Sequence, residues 1–259
     1  MTAPRGSLLL AAALLTIGAA RAEPQVWIVH DEPAPMEELA RVLRSGGHSV
    51  LVEEQSMFAA HGGEWNPKAV FFYVHGNTDP ALESFLIRYA ENGGRLIILH
   101  HGIASAKVRS KRWLPFAGIR ILPRDHPSHP WKVLRGDVQV VNLNLSHYVT
   151  THRVRYPETV PYTPSDSPSV EQQLPAFVLP DTEMFWNQHF TDGRAKTVLL
   201  GSRVEVSGKL YMQDRAGWLK PAGKGYVFYF QQGHLASDFR DPSFGQILVN
   251  AVRWMPPNR

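Results

Sequence analysis

The chain has no cysteine. That excludes disulfide bonds, a thiolate nucleophile and cysteine-ligated zinc, and it leaves the fold to be held by its core. No Gly-x-Ser-x-Gly nucleophile elbow, Walker loop or dinucleotide glycine fingerprint occurs, so a serine hydrolase and hydride transfer with a bound nicotinamide are disfavoured and no nucleotide cofactor is expected. There is no His-Glu-x-x-His pair, and His126 and His129 are separated by residues that include Pro127, with Pro130 following, which argues against a helix there. No apolar run reaches the about 20 residues that a bilayer-spanning helix needs. An excess of one charge is also missing. The formal charge is +4, and losing Arg5 and Arg21 with a leader would make it +2. The basic residues are scattered apart from Lys107-Val108-Arg109-Ser110-Lys111-Arg112, which reads as a solvated face or an anion contact, so no nucleic-acid partner is expected.

What is present begins with a leader pattern. Arg5, the apolar stretch Leu8 to Ile17 and the small-x-small sequence Ala20-Arg21-Ala22 together read as a secretory signal peptide over residues 1–22, cleaved before Glu23. The expected mature protein is a single domain over residues 23–259, exported to the periplasm or secreted. With no cysteine near the cleavage point, it would carry no lipid anchor.

Short apolar runs alternate with helical patterns through the first 100 residues. Val26 to His30, Ser49 to Val52, Ala69 to Val74 and Arg95 to Leu99 read as strands. The nearly continuous apolar character of Ala69 to Val74 suits a parallel strand covered on both faces. Met36, Leu39, Ala40 and Leu43 recur at helical spacing up to Gly46-Gly47. Asp79-Pro80 reads as a cap and first turn before the stripe Leu82, Phe85, Leu86, Tyr89, Ala90. The pattern predicts a doubly wound, mostly parallel sheet with helices on both faces. In the less regular middle, 133–143 and 149–154 are expected strands and 156–173 an exposed loop rich in Pro and Ser. Thr197 to Leu200 and Tyr226 to Phe230 are further strands, and a final helix is expected to carry Phe244, Ile247, Leu248, Ala251, Val252 and Met255 on one face.

His30, His75 and His100 follow or end three of these strands, and parallel strands would bring all three tips to one sheet edge, where ligands bind in open α/β folds. Three groups could gather there: His100-His101-Gly102, Asp181-Thr182-Glu183 and Gln232-Gly233-His234. Imidazoles and carboxylates together suit general acid/base catalysis. They are also ordinary ligands of a divalent metal, so a metal is left open. Trp113 and Trp186 offer flat faces on which a sugar ring could stack, or they fill the core.

These groups resemble the trehalose-utilisation (ThuA-like) family over about residues 69 to 255. The resemblance is carried by Gly93-Gly94-Arg95 to His100-His101, by Trp113 with Gly118, by Ser146-His147-Tyr148-Val149-Thr150 and by Thr182-Glu183-Met184-Phe185. It continues through Gly223-Lys224-Gly225-Tyr226 to Tyr229, then Gly233-His234 and Trp254. The sequence departs from the family pattern at Tyr148 (usually Pro), Thr182 (usually Asp) and Tyr226 (usually Arg). The resemblance implies a class I glutamine amidotransferase-like, flavodoxin-like fold and a role in carbohydrate catabolism, often through keto-sugar intermediates. Amidotransferase activity does not follow, because that chemistry needs a thiolate.

The expected function is an exported enzyme acting on a sugar or keto-sugar by acid/base chemistry, with or without a metal. The assigned catalytic set is His100, His101, Asp181, Glu183 and His234. Trp113, His147, Trp186 and Gln232 are the substrate-binding set, and a small carbohydrate is the only partner. The alternative is a non-catalytic carbohydrate-binding or interaction module on the same fold.

Overall fold

The computed structural model describes residues 25–61, 66–163, 170–192 and 196–257. The leader expected at residues 1–22 lies outside them. Among the described residues no helix is long and apolar enough to cross a membrane.

The elements run β1 (Val26–His30), α1 (Pro33–Ser45), β2 (Val50–Glu54), β3 (Ala69–Tyr73), α2 (Pro80–Glu91), β4 (Arg95–Leu99), α3 (Trp113–Ala117), β5 (Ile119–Ile121) and β6 (Lys132–Asn142). They continue with α4 (Tyr148–Thr151), β7 (Glu158–Tyr162), β8 (Gln172–Trp186), β9 (Gln188–Phe190), β10 (Thr197–Val206), β11 (Lys209–Ala222), β12 (Gly225–Phe230), α5 (Ala236–Arg240) and α6 (Pro242–Arg253).

Ten strands form one sheet in the order β2-β1-β3-β4-β12-β11-β10-β6-β8-β7. From β2 to β12 every pairing is parallel. The parallel strands are apolar because both faces are covered, and successive side chains go to opposite sides. Ile28, Phe71, Ile97 and Phe228 pack beneath α1 and α6, with Met36, Leu39, Leu43, Ile247 and Leu248. Trp27, Phe72, Ile98 and Tyr229 pack beneath α2, with Leu82, Phe85 and Leu86. Asp79 caps α2 by accepting from the amides of Ala81 and Leu82, and Asp241 caps α6 by accepting from those of Ser243 and Phe244. A proline follows each cap, where its missing N–H costs nothing.

Beyond β12 the sheet continues through antiparallel pairings. Two expectations for this half are corrected. The stretch 149–154 is not a strand: the His147 imidazole accepts from the Val149 amide to cap α4, and Asn250 of α6 donates to the carbonyls of Val149 and His152. Nor is 156–173 a loop throughout, because β7 pairs with β8 at the sheet edge. An edge strand can hold Pro161 without losing a ladder bond that matters, so the proline misleads as a loop signal. Residues 164–169 lie outside the described part.

In hydrogen-bonded order β8 stands five places from β4, yet the sheet curls to bring the end of β8 back. Register shifts at 136–138 and 198–202 bend the antiparallel half. A second, two-stranded sheet of β5 and β9 then ties the chain just after β8 to the α3 side. Gln213 of β11 clasps the same turn, accepting from the amides of Asn187 and Gln188 and donating to the Phe185 carbonyl.

Candidate functional site

At the carboxyl end of β4 the chain turns sharply into a 3-10 turn over His100–Ile103. His100 has φ +36°, a conformation that non-glycine residues rarely adopt and that clusters at functional sites. Its Nδ1 lies 2.5 Å from the carbonyl oxygen of Gln231, at the end of β12. A carbonyl only accepts, so Nδ1 carries the proton and Nε2 keeps its lone pair. His101 follows and stacks on His75, with ring centroids 3.3 Å apart.

His234 sits on the turn after β12. Gly233 holds φ +102°, and a Cβ there would stand 2.6 Å from the Phe239 ring, so only glycine fits. Asp238 of α5 organises this turn. Its Oδ2 accepts from the amides of Gly233, His234 and Leu235 and from the Thr182 hydroxyl of β8. One carboxylate thus fixes His234 and the strand position beside Glu183.

Glu183 comes from β8. Its Oε2 lies 3.6 Å from His100 Nε2, 4.0 Å from His101 Nε2 and 3.6 Å from His234 Nδ1. One donor atom from each of these four residues falls within 4.8 Å of the others. Burial, then the neighbouring His100, His75 and His234, pushes the His101 imidazole far below its usual range. Burial, then His100, lowers His234 as well. Contact with the His100 ring, against the opposing effect of burial, and proximity to His234 hold the Glu183 carboxyl below the usual carboxylate range. Burial and mutual repulsion thus lower His101 and His234, while the Glu183 carboxyl is lowered as well.

Beside the cluster lies a cavity of about 320 Å³, lined by His75, His101, Arg124, Trp131, Glu183 and Phe185 among others. Phe185 stacks on His100 at 4.4 Å, and Trp131 lies against Phe185 at 5.1 Å. Glu183 and Phe185 are two apart on β8 and so share a face.

Four of the five residues assigned to catalysis come together: His100, His101, Glu183 and His234. Asp181 does not join them. It stands exposed at φ +47°, held by the Arg135 guanidinium at 3.0 and 3.1 Å, which also keeps its carboxyl below the usual range. Of the binding set, Trp113 is fully buried. Its Nε1 donates to the Gly102 carbonyl at 2.7 Å and its ring packs on Phe72, so it braces the His100–Ile103 turn and offers no face to a ligand. Trp186 lies on the opposite face of β8, against Tyr211 and Lys132, and lines a separate cavity with His129, His189 and Arg215. His147 stacks on Trp254, which packs on Tyr226 at the start of β12, the end of the strand away from the cluster. Gln232 is buried and donates to the Ser202 hydroxyl.

The aromatic walls are Trp131 and Phe185. Residues without an assigned role also matter, namely His75, Arg124, the Gln231 carbonyl and Asp238. His75 carried a signal, since it follows β3 just as His100 follows β4. Asp238 carried none, because its role depends on the curl of the sheet.

The fold and site define a doubly wound α/β protein with a histidine–glutamate cluster at the strand tips. The sequence model of the ThuA family, described as trehalose utilisation, matches residues 22–255, and the chain belongs to that family. No curated protein matches its sequence. Among solved structures it is similar to a ThuA-like protein from Bacteroides uniformis, with TM-score 0.57 and 18% identity over 92% of this chain and 94% of that one. A cytoplasmic protein from Salmonella typhimurium LT2 aligns with TM-score 0.51 and 13% identity over 88% of this chain and 98% of that one. A β-galactosidase from Rahnella sp. R3 contains a similar fold, with TM-score 0.55 and 11% identity over 90% of this chain and 32% of that one. At these identities the likeness shows the fold. Family membership suggests a carbohydrate-related role.

Proposed function

We propose that this protein is a carbohydrate-active enzyme that works on the carbonyl of a sugar or keto-sugar by proton transfer at the His100–His101–Glu183–His234 cluster. The observation that carries the reading is the convergence of three imidazole nitrogens on one Glu183 oxygen beside a cavity at the parallel strand tips. His101 lines the cavity and lies 4.0 Å from the Glu183 carboxylate, so it is the proton acceptor. Glu183 is the nearest anion and stabilises the imidazolium that results. His234 offers a donor to the substrate oxygen, where charge develops in an enediolate. Trp131 and Phe185 supply apolar walls for the sugar ring. The leader pattern at residues 1–22 would place this activity outside the cytoplasm.

The test is NMR of purified protein with a panel of disaccharides and their keto-glycosides, beside His101→Ala and Glu183→Gln variants. Turnover that falls about 100-fold or more in each variant is the expected result. Binding without turnover that survives both substitutions would overturn it and make the protein a carbohydrate-binding module.

A further inference from the structure

We infer that His100, His101, His234 and Glu183 form a binding site for one divalent transition-metal cation. The inference concerns the same cluster as the proposed function but rests on its own observation. The Gln231 carbonyl fixes His100 with its proton on Nδ1, so Nε2 presents a lone pair. That atom is wholly buried, has no hydrogen-bond partner and faces the Glu183 carboxylate, which also only accepts. Two acceptors 3.6 Å apart call for a positive charge between them, a second proton on His100 or a cation, and the convergence of further donor atoms on the same oxygen favours the cation. His234 Nδ1 is likewise buried, without a hydrogen-bond partner and 3.6 Å from the same oxygen.

The distances suit an ion. A tetrahedral zinc with donors at about 2.1 Å sets those donors about 3.4 Å apart. The three separations from Glu183, at 3.6, 3.6 and 4.0 Å, lie close to that edge. The supporting contacts match as well. A metal-bound histidine characteristically donates its other ring nitrogen to a carbonyl or carboxylate, as His100 does to Gln231. A mixed set of three imidazoles and one carboxylate selects the zinc and cobalt class over calcium or magnesium, which prefer oxygen alone. His101 and Glu183 both line the adjacent cavity, so a ligand held there would approach the ion. Such an ion would occupy the lone pairs of its histidine ligands, so it would polarise a carbonyl oxygen or activate a water in place of proton transfer by His101.

The experiment measures zinc on the intact mature protein after chelation and dialysis, by calorimetry and elemental analysis. The cobalt-loaded form is read by its visible absorption. One equivalent of zinc, an upward Tm shift on loading and cobalt bands lost in both His234→Ala and Glu183→Gln are expected. Circular dichroism verifies that each variant is folded, and His100→Gln serves as the second variant should either fail. Histidines His126, His129 and His189 lie together elsewhere, so a His129→Ala variant is the control and retains full binding. No stoichiometric binding, or binding that survives the cluster substitutions, overturns the inference. The two proposals fail separately. Turnover without metal removes the ion and keeps the enzyme, whereas metal bound without turnover of any sugar keeps the ion and removes the carbohydrate reaction.

Discussion

A lysine rarely sits where Lys107 does. Its side chain is almost fully buried over the Phe72 ring, its amine donates to the Gly76 carbonyl, and burial lowers its pKa to about 8, with Asp31 and Glu83 opposing. The folded chain therefore holds this proton less tightly than the unfolded chain, whose value is near 10.5. Between those limits the unfolded state binds more protons, so the Lys107 contribution to stability rises with pH across about 8 to 10.5. The full shift corresponds to at most about 3 kcal/mol. Urea unfolding of Lys107→Met beside the parent should show the parent gaining on the variant by about that amount from pH 7.5 to 10.5. A constant difference would mean that the folded chain holds the Lys107 proton as tightly as the unfolded chain does. Single residues also show how far the sequence speaks. His100, His101 and His234 were legible because each follows an apolar strand, where placement follows from topology, and Glu183 because it stands in the Thr182-Glu183-Met184-Phe185 element that carries the family resemblance. Trp113 was misread because its short, irregular surroundings give no periodicity from which to tell an inward ring from an outward one. Asp181 was misread because its left-handed backbone, beside the register shift on β8, breaks the alternation that sequence reasoning assumes.

At the level of elements, two caps of similar appearance carry different loads. Asp241 accepts two amides at the start of α6, as caps ordinarily do. Its replacement by alanine should cost about 1 kcal/mol in chemical denaturation and leave turnover intact. Asp238 accepts three amides and a buried hydroxyl from another strand, and it is itself almost fully buried. Asp238→Ala should cost about 3 kcal/mol, since four donors lose their acceptor, and it should abolish both turnover and zinc binding by releasing His234. Equal effects of the two substitutions would sink this distinction. The elements were unevenly legible for a physical reason. Strands β1, β3, β4 and β12 are buried on both faces and so are written as unbroken apolar runs. Strands β7 and β8 carry Pro161, Pro175 and Pro180, and are paired by partners whose identity depends on the whole sheet.

The whole molecule joins a parallel and an antiparallel half, and the core does not respect that seam. The cluster beneath α1 and α6 includes Ile28 and Ile97 from the parallel strands and Val140, Phe177 and Leu179 from β6 and β8. The chain should therefore unfold as one cooperative unit, with tryptophan fluorescence and far-UV circular dichroism giving coincident urea transitions. Two separated transitions would show that the halves are independent domains. The curl of the sheet has a kinetic consequence. Glu183 lies 83 positions after His100 and His234 a further 51 along the chain, so closing the cluster needs both the return of β8 and the β4–β12 pairing of residues 131 apart. Its assembly should be a late event in refolding. Competence at this site should return after the strands and helices have formed, which makes it a reporter of completed folding.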